Sequence, residues 1–260
     1  MQKKIAIQNR FSARQFLPLM GYQVRMIYSW GHIASIIISI GAALLMALQI
    51  KPDAYRNFYH ILEPLFPLMM TFLFTNLMLK EQHQRTLALS SVTQYSLPFI
   101  FGIRLLLTAL FTAILIVIMA LIIKTSPPPT TDFTFPLDPS TLPNHWADYF
   151  PGDPNDIPAI LLTFGSPILL LAGIGTALAH LTADVHIGNF TVFCFWFLNR
   201  SIGLTLDAHP LFQHVYLFAR SVGSNDWVTP KIFQLFLGIA FLTLNWLLLQ
   251  KSDHLLRDLA

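Results

Sequence analysis

The sequence predicts an all-α integral membrane protein of about six transmembrane helices, and three observations predict it. Only 11% of the 260 residues are charged, against 54% hydrophobic, where an ordinary soluble domain carries about 25% charge. A soluble chain so poor in charge would present large apolar patches to water. The apolar residues also gather in runs close to the roughly 20 residues that a helix needs to cross a bilayer core. Finally, the runs are continuous. Strands of a membrane barrel would alternate apolar and polar, whereas a helix in lipid satisfies its own backbone whatever its side chains.

Residues 1–32 form a cytoplasmic leader. Lys3, Lys4, Arg10, Arg14 and Arg25 make it basic, and it holds no acid. From residue 10 to 30, Phe16, Leu19, Met20, Val24 and Ile27 recur at helical spacing, while Arg10, Arg14 and Arg25 fall on the other side. Such a helix lies flat in the headgroup layer, cations toward anionic lipid; a disordered basic leader is the plainer alternative. The first apolar run starts at residue 33 and is long enough to span, so no cleavable signal peptide is expected.

The transmembrane domain covers 33–250, with runs at 33–50, 61–79, 97–123, 157–180, 185–204 and 232–249. The third is free of charge from Leu105 to Ile123, and the fifth is interrupted by Asn199 and Arg200. Five or seven spans are the neighbouring alternatives. Near the outer end of the second run stand Glu63, Pro64 and Pro67. Proline kinks a helix, and a carboxylate in a span is costly and tends to be functional. Glu63 is therefore the candidate for a substrate path, against the blander reading of a solvated helix entry.

The connector at about 80–96, KEQHQRTLALSSVTQYS, is polar, helical in composition and longer than two spans need. It is expected to offer a docking surface to a soluble partner. The segment at about 124–157 is rich in Pro and Asp and holds Phe133, Phe135, Trp146, Tyr149 and Phe150. Its Pro127–Pro129 run favours extended chain, so a loosely packed cap is expected there, with a binding role as the rival. Gly165, Ala172, Gly173, Gly175, Ala177 and Ala179 give the fourth run a small-residue surface. Such residues let helices approach closely, within the bundle or across a dimer. At about 206–230, the stretch HPLFQHVYLFAR reads as about three turns of helix, too short and polar to span, dipping into the membrane as a re-entrant or interfacial segment. Residues 251–260 form a short tail.

Lys and Arg near span ends set orientation. The basic leader, Lys80, Arg85 and Arg104 after the second run, and Lys251 and Arg257 in the tail belong inside. Asp132, Asp138, Asp148, Asp153 and Asp156 mark 124–157 as outside. Six spans with both termini cytoplasmic satisfy these placements; Lys51 and Arg56, in a connector that must then lie outside, fit least well.

Several chemistries are excluded. The only Lys followed by Ser or Thr are Lys124 and Lys251, neither after a glycine-rich loop, so the chain has no ATP site of its own. No His-Glu-x-x-His or Gly-x-Ser-x-Gly motif occurs. His180, Asp184 and His186 are the nearest approach to a metal cluster, but zinc takes three or four well-placed ligands, and a polar hinge between two spans is the stronger reading. With Asn189 they are also the one polar cluster that a lipid-modifying enzyme would need. The single cysteine, Cys194, rules out an internal disulfide and reads as a packing residue.

The layout resembles the permease subunit of type-2 ABC exporters across nearly the whole chain. The resemblance is sharpest at Glu81-Gln-His-Gln-Arg85-Thr86-Leu87-Ala-Leu89-Ser-Ser91. The family pattern there is charged residues, then Gly-Thr-Leu, then Leu and a small-residue turn. Glu81, Thr86, Leu87 and Leu89 match, Arg85 replaces the usual Gly, and the usual Pro is missing near Val92 and Thr93. Arg104 stands where the family often has a basic residue, and His209-Pro210-Leu211 is similar to its Asn-Pro-Leu segment before the last span. The resemblance implies a cytoplasmic coupling helix at 80–96, on which a separate ABC ATPase docks through Glu81, Arg85, Thr86, Leu87, Leu89 and Ser91. It further implies a second permease chain, identical or a sister, and export of a hydrophobic or amphipathic substrate from a cell membrane. ATP and Mg would be bound by the partner, with no cofactor or metal in this chain and no nucleic acid partner. A permease separate from its ATPase points to a bacterium. A self-contained secondary transporter or channel, a lipid-modifying enzyme, and an anchoring subunit are the rival readings.

Overall fold

Helices account for all the regular structure among the described residues, which are 18, 20–25, 30–47, 65–78, 96–124, 157–208, 214, 215, 217 and 228–259 of a computed structural model. Residues 20–25 of the leader are helical. Then come α1 (Trp30–Ala47), α2 (Leu65–Thr75) running into a 3-10 turn (Asn76–Met78), α3 (Leu97–Lys124), α4 (Ile157–Thr182), α5 (Val185–Ala208) and α6 (Val228–Leu259). Three of them begin with proline in the first turn, Pro98, Pro158 and Pro230. The missing N–H is harmless there, because the first turn has no carbonyl to donate to. Before α3, the carbonyl of Ser96 accepts the Ile100 N–H at 3.1 Å and starts the ladder. Pro167 lies inside α4, where it removes one ladder bond.

Among the described residues, three helices carry stretches long and apolar enough, by length and composition, to cross a membrane: Leu97–Met119, Leu161–Thr182 and Val228–Lys251. The apolar parts of α1 and α2 are shorter, Trp30–Leu44 and Leu65–Thr75. The expected fifth span forms a continuous helix, α5, but Asn199, Arg200 and the polar residues after them leave it outside the spanning set. The last helix is longer than expected. It continues to Leu259, so most of the 251–260 tail is an extension of α6, as a stretch with neither Gly nor Pro permits.

The outer faces of the helices are apolar, and the interior mixes large apolar side chains such as Phe66, Met70, Phe74 and Phe101 with buried polar ones. The inward line of α6 is Lys231, Gln234, Gly238, Leu242, Asn245 and Leu249, whereas Ile232, Phe233, Phe236, Ile239 and Trp246 face out. On α3, Leu97, Phe101, Arg104, Thr108, Thr112, Leu115 and Met119 turn in, and Leu106, Leu110, Ile114, Ile118 and Leu121 form an exposed ridge. Both inward lines step by three and four residues, the spacing of one helix face. Against α3, α1 lays His32, Ser35, Ser39 and Ala43, with the His32 ring edge-on to Phe111 at 5.1 Å. A protein in water would not turn so many large apolar side chains outward, whereas lipid would solvate them, and small and hydroxyl residues join Phe, Met and Leu in the helix contacts. These outer faces, with the three long apolar helices, fit a membrane protein.

At the centre stands α4, with Leu170, Leu171 and Ala172 wholly buried. Its small residues serve packing inside the bundle. A Cβ on Gly173 would lie 2.8 Å from the Gly238 carbonyl oxygen of α6, and one on Gly238 would lie 2.6 Å from the Leu169 carbonyl carbon. A Cβ on Gly175 would overlap the Thr75 side chain, whereas Gly165 has open space around it.

Candidate functional site

Three polar junctions organise this interior. The first is built on Arg104, about two turns into α3 and 2% exposed. Its Nε–H donates to Gln23 Oε1 at 2.7 Å, and Nη1 donates to the Leu77 carbonyl, also at 2.7 Å. Leu77 sits in the 3-10 turn that ends α2, where carbonyls lack helical partners and a cation is favoured. One guanidinium thus ties together the leader, the end of α2 and the start of α3. On the leader, Gln23 turns in while Tyr22, Val24 and Arg25 are exposed. Arg104, read from sequence as a loop charge setting topology, is a buried tie.

The second junction holds a piece of irregular backbone. Asn199 Oδ1 of α5 accepts the Leu217 N–H at 3.1 Å, and Lys231 Nζ of α6 donates to the Leu217 carbonyl at 2.7 Å. Asn199 also donates Nδ2–H to the Phe195 carbonyl at 3.1 Å. The Leu217 side chain packs in a cluster with Leu68, Leu170, Leu171 and Val192. Leu217 is therefore part of the packed helix bundle. The chain here is not helical at its described positions: His214 and Val215 make a turn and Leu217 has no regular structure. Helix is not needed where side chains from two neighbours take the peptide groups.

The third junction is a cleft at one end of the bundle, where the C-terminal ends of α2, α4 and α6 meet the N-terminal ends of α3 and α5. It measures ≈ 290 Å³ with its open mouth included, and ≈ 20 Å³ of that is room for a water-sized group. Thr75, Thr176, His180 and Asn245 supply its polar lining, and Phe74, Phe101, Val185 and Leu249 are among its apolar walls. The Thr75 hydroxyl donates to Asn189 Oδ1 of α5, and Asn189 Nδ2 reaches Asn76 Oδ1 at 3.4 Å. Thr176 donates to the Ala172 carbonyl at 2.7 Å. Asn245 is 2% exposed, and its Oδ1 has no hydrogen-bond partner.

Between α4 and α5 the chain reverses at Ala183, whose φ of 53° lies in the left-handed region. Its N–H donates to the His180 carbonyl at 3.3 Å. Asp184 Oδ1 then accepts the His186 N–H at 2.8 Å, the bond of an N-capping residue. This accounts for Asp184 without a metal. His186 is exposed, His180 belongs to the cleft, and no group of three or more His, Cys, Asp or Glu fit to hold an ion exists among the described residues. Cys194 is half-buried on α5.

Of the other sequence candidates, Arg25 is exposed on the leader. Arg10, Arg14, Glu63, Glu81, Arg85, Thr86, Leu87, Leu89 and Ser91 lie outside the described residues. Sequence reasoning missed Asn245, Thr176 and Thr75. The signal for Asn245 was present: it is the single amide in the stretch IAFLTLNWLLL, and a polar side chain there must find an interior position. The threonines carried no such signal, because Thr returns its hydroxyl to the preceding turn and is common in any membrane helix. No protein-family model, curated protein or solved structure matches the chain.

Proposed function

We propose that the chain is the permease subunit of an ATP-driven exporter, a cell-membrane protein with six crossing helices and cytoplasmic termini. It pairs with a second permease chain and is driven by a separate ABC ATPase. The direction of the helices supports six crossings. The C-terminal ends of α2, α4 and α6 and the N-terminal ends of α3 and α5 line one cleft, as successive up-and-down crossings require. The polar α5 is included on this ground because it lies between α4 and α6, and the shorter α2 because its end lines the same cleft; the shorter α1 is included through its packing on α3.

The observation that carries the reading is the Arg104 tie. Energy from an ATPase must pass through a stiff contact, because a compliant one dissipates the motion. The connector carrying Glu81, Arg85, Thr86, Leu87, Leu89 and Ser91 follows the 3-10 turn of Leu77 and precedes α3, and Arg104, about two turns into α3, is bonded to the Leu77 carbonyl. A push on that connector therefore moves the end of α2, the start of α3 and the leader as one body. Thr75 and Phe101, on the same two helices, face the cleft against Thr176 and Asn245. Rigid motion at the connector would open or close that cleft, giving a hydrophobic or amphipathic cargo a path bordered by α2, α4 and α6.

The test is recovery of the tagged chain from its own membrane in mild detergent, with identification of bound proteins and an ATPase assay. Recovery of a soluble ATPase that is lost with Leu87→Asp supports the proposal. Recovery of the chain alone, even after crosslinking, sinks it and transfers the case to a self-contained transporter or a membrane enzyme.

A further inference from the structure

The outward face of α5 differs from the other outward faces. On α3 the exposed ridge of Leu106, Leu110, Ile114, Ile118 and Leu121 is aliphatic, which is all that lipid tails require. On α5 the exposed residues His186, Phe190, Phe193, Phe197 and Arg200 follow one another at steps of four and three residues, so they form a single stripe along the helix. The Phe193 and Phe197 rings stack at 6.2 Å and 20°, and the stripe then meets a guanidinium. No ion pair or hydrogen bond of Arg200 is found among the described residues.

Depth decides what this cation needs. With α5 crossing from the cytoplasmic side, Arg200 stands about 22 Å along the helix from Val185, at roughly 1.5 Å per residue. The hydrocarbon core is about 30 Å thick, so the side chain is rooted about 8 Å below the outer boundary. A helical side chain leans toward the N-terminus of its helix, here away from the outer water. A charge so placed is costly unless an anion comes to it. Within the six apolar runs the single acid is Glu63. A phospholipid, by contrast, brings a phosphate to that boundary with acyl chains beneath it, and the arginine fork matches phosphate oxygens two at a time.

We infer that the outer end of the α5 stripe is a binding site for one phospholipid of the outer leaflet, with Arg200 on its phosphate and Phe193 and Phe197 along an acyl chain. Phe197 and Phe193 lie about one and two turns deeper than Arg200, where the chains of that lipid run. The phosphate is drawn toward the core, as charged side chains thin a bilayer locally. The inference rests on the crossing of α5 in the six-span reading and on nothing about an ATPase.

The test uses the full chain, stripped of lipid in dodecyl maltoside. Three probes with equal tails are added back: dioleoyl phosphatidylglycerol, dioleoyl phosphatidylcholine and dioleoylglycerol, which lacks the phosphate. Both phospholipids are expected to raise the melting temperature by about 2–4 °C more than dioleoylglycerol at concentrations several times Kd. Inorganic phosphate, which brings no tails to the stripe, should leave it unchanged. Arg200→Gln should abolish the advantage of the phosphate, and Arg200→Lys, which keeps the charge without the fork, should retain part of it. Arg25→Gln, on the exposed face of the leader, should keep the advantage and so separates this site from headgroup contacts elsewhere. Arg200 is exposed, so its variants should fold, and helical circular dichroism checks that they do. Equal shifts from all three probes, or an advantage that survives in Arg200→Gln, would overturn the inference. A shift with inorganic phosphate that disappears in Arg200→Gln would overturn it in favour of a free anion, and loss of the advantage in Glu63→Gln as well as Arg200→Gln in favour of a carboxylate partner. The crossing of α5 is read separately by labelling on either side of it, and docking of an ATPase by its recovery, so this inference and the export reading fail separately.

Discussion

Asn199 and Lys231, from α5 and α6, bond the two peptide groups of one residue: Asn199 accepts the N–H of Leu217 and Lys231 donates to its carbonyl. Neither bond is part of a helix or a sheet. Together they let irregular chain sit among apolar residues of α2, α4 and α5. Removing either partner leaves a buried peptide group unpaired, at about 1–3 kcal/mol. Asn199→Leu and Lys231→Met should each lower stability by that amount in detergent unfolding. The double variant should cost less than the sum, because both act on the same segment. Full additivity would mean that the two bonds hold separate structures.

Arg104 should be intolerant for a different reason. Its charge is buried, and its planar head bonds two groups in different directions. Gln23→Leu removes one of them and should destabilise by about 1.5–3 kcal/mol, the range for hydrogen bonds to charged groups. Arg104→Lys keeps the charge but not the fork, so it should rescue only part of the loss seen in Arg104→Met. Equal thermal stability of the three variants and the parent would show the tie to be dispensable.

At the crossing of α4 and α6, Gly238→Ala should be damaging, since its Cβ would meet backbone of Leu169 at 2.6–2.7 Å. Backbone cannot swing aside, so the helices must separate, at about 1–3 kcal/mol. Gly165→Ala is the control on the same bundle, with nothing within 4 Å. It should be neutral or gain up to about 1 kcal/mol from helix propensity. Parallel unfolding curves of the two variants test the contrast; equal midpoints would contradict this packing.

Alternating crossings can be read with single cysteines in a Cys194→Ser background. His186, in the first turn of α5, and Thr229, in the first turn of α6, are exposed and would lie on opposite sides if α5 crosses. His186→Cys should react with an impermeant maleimide only from the cytoplasmic side, and Thr229→Cys only from the outside. Labelling of both from one side would remove α5 from the set of crossing helices and with it the six-span arrangement.

The sequence by itself determined the class of the molecule and the positions of its main helices. Composition and run length depend only on local solvation: a long apolar stretch is helical in lipid because no other conformation satisfies its backbone. For that reason α3 and α4 appear almost at their expected bounds. The small residues of α4 were equally legible as a close contact, although only the structure names α6, through Gly173 and Gly238, as the partner. Side-chain pairing was not legible. Arg104 read as a loop charge and Lys231 drew no reading, because burial of a cation depends on acceptors such as Gln23, Leu77 and Leu217 that are distant in sequence. The unpaired oxygen of Asn245 could be located only once α2, α4 and α6 were placed together. Hydrophobicity is a property of each segment, whereas the partner of a polar group is a property of the tertiary arrangement, and the cleft at Asn245 belongs to the second.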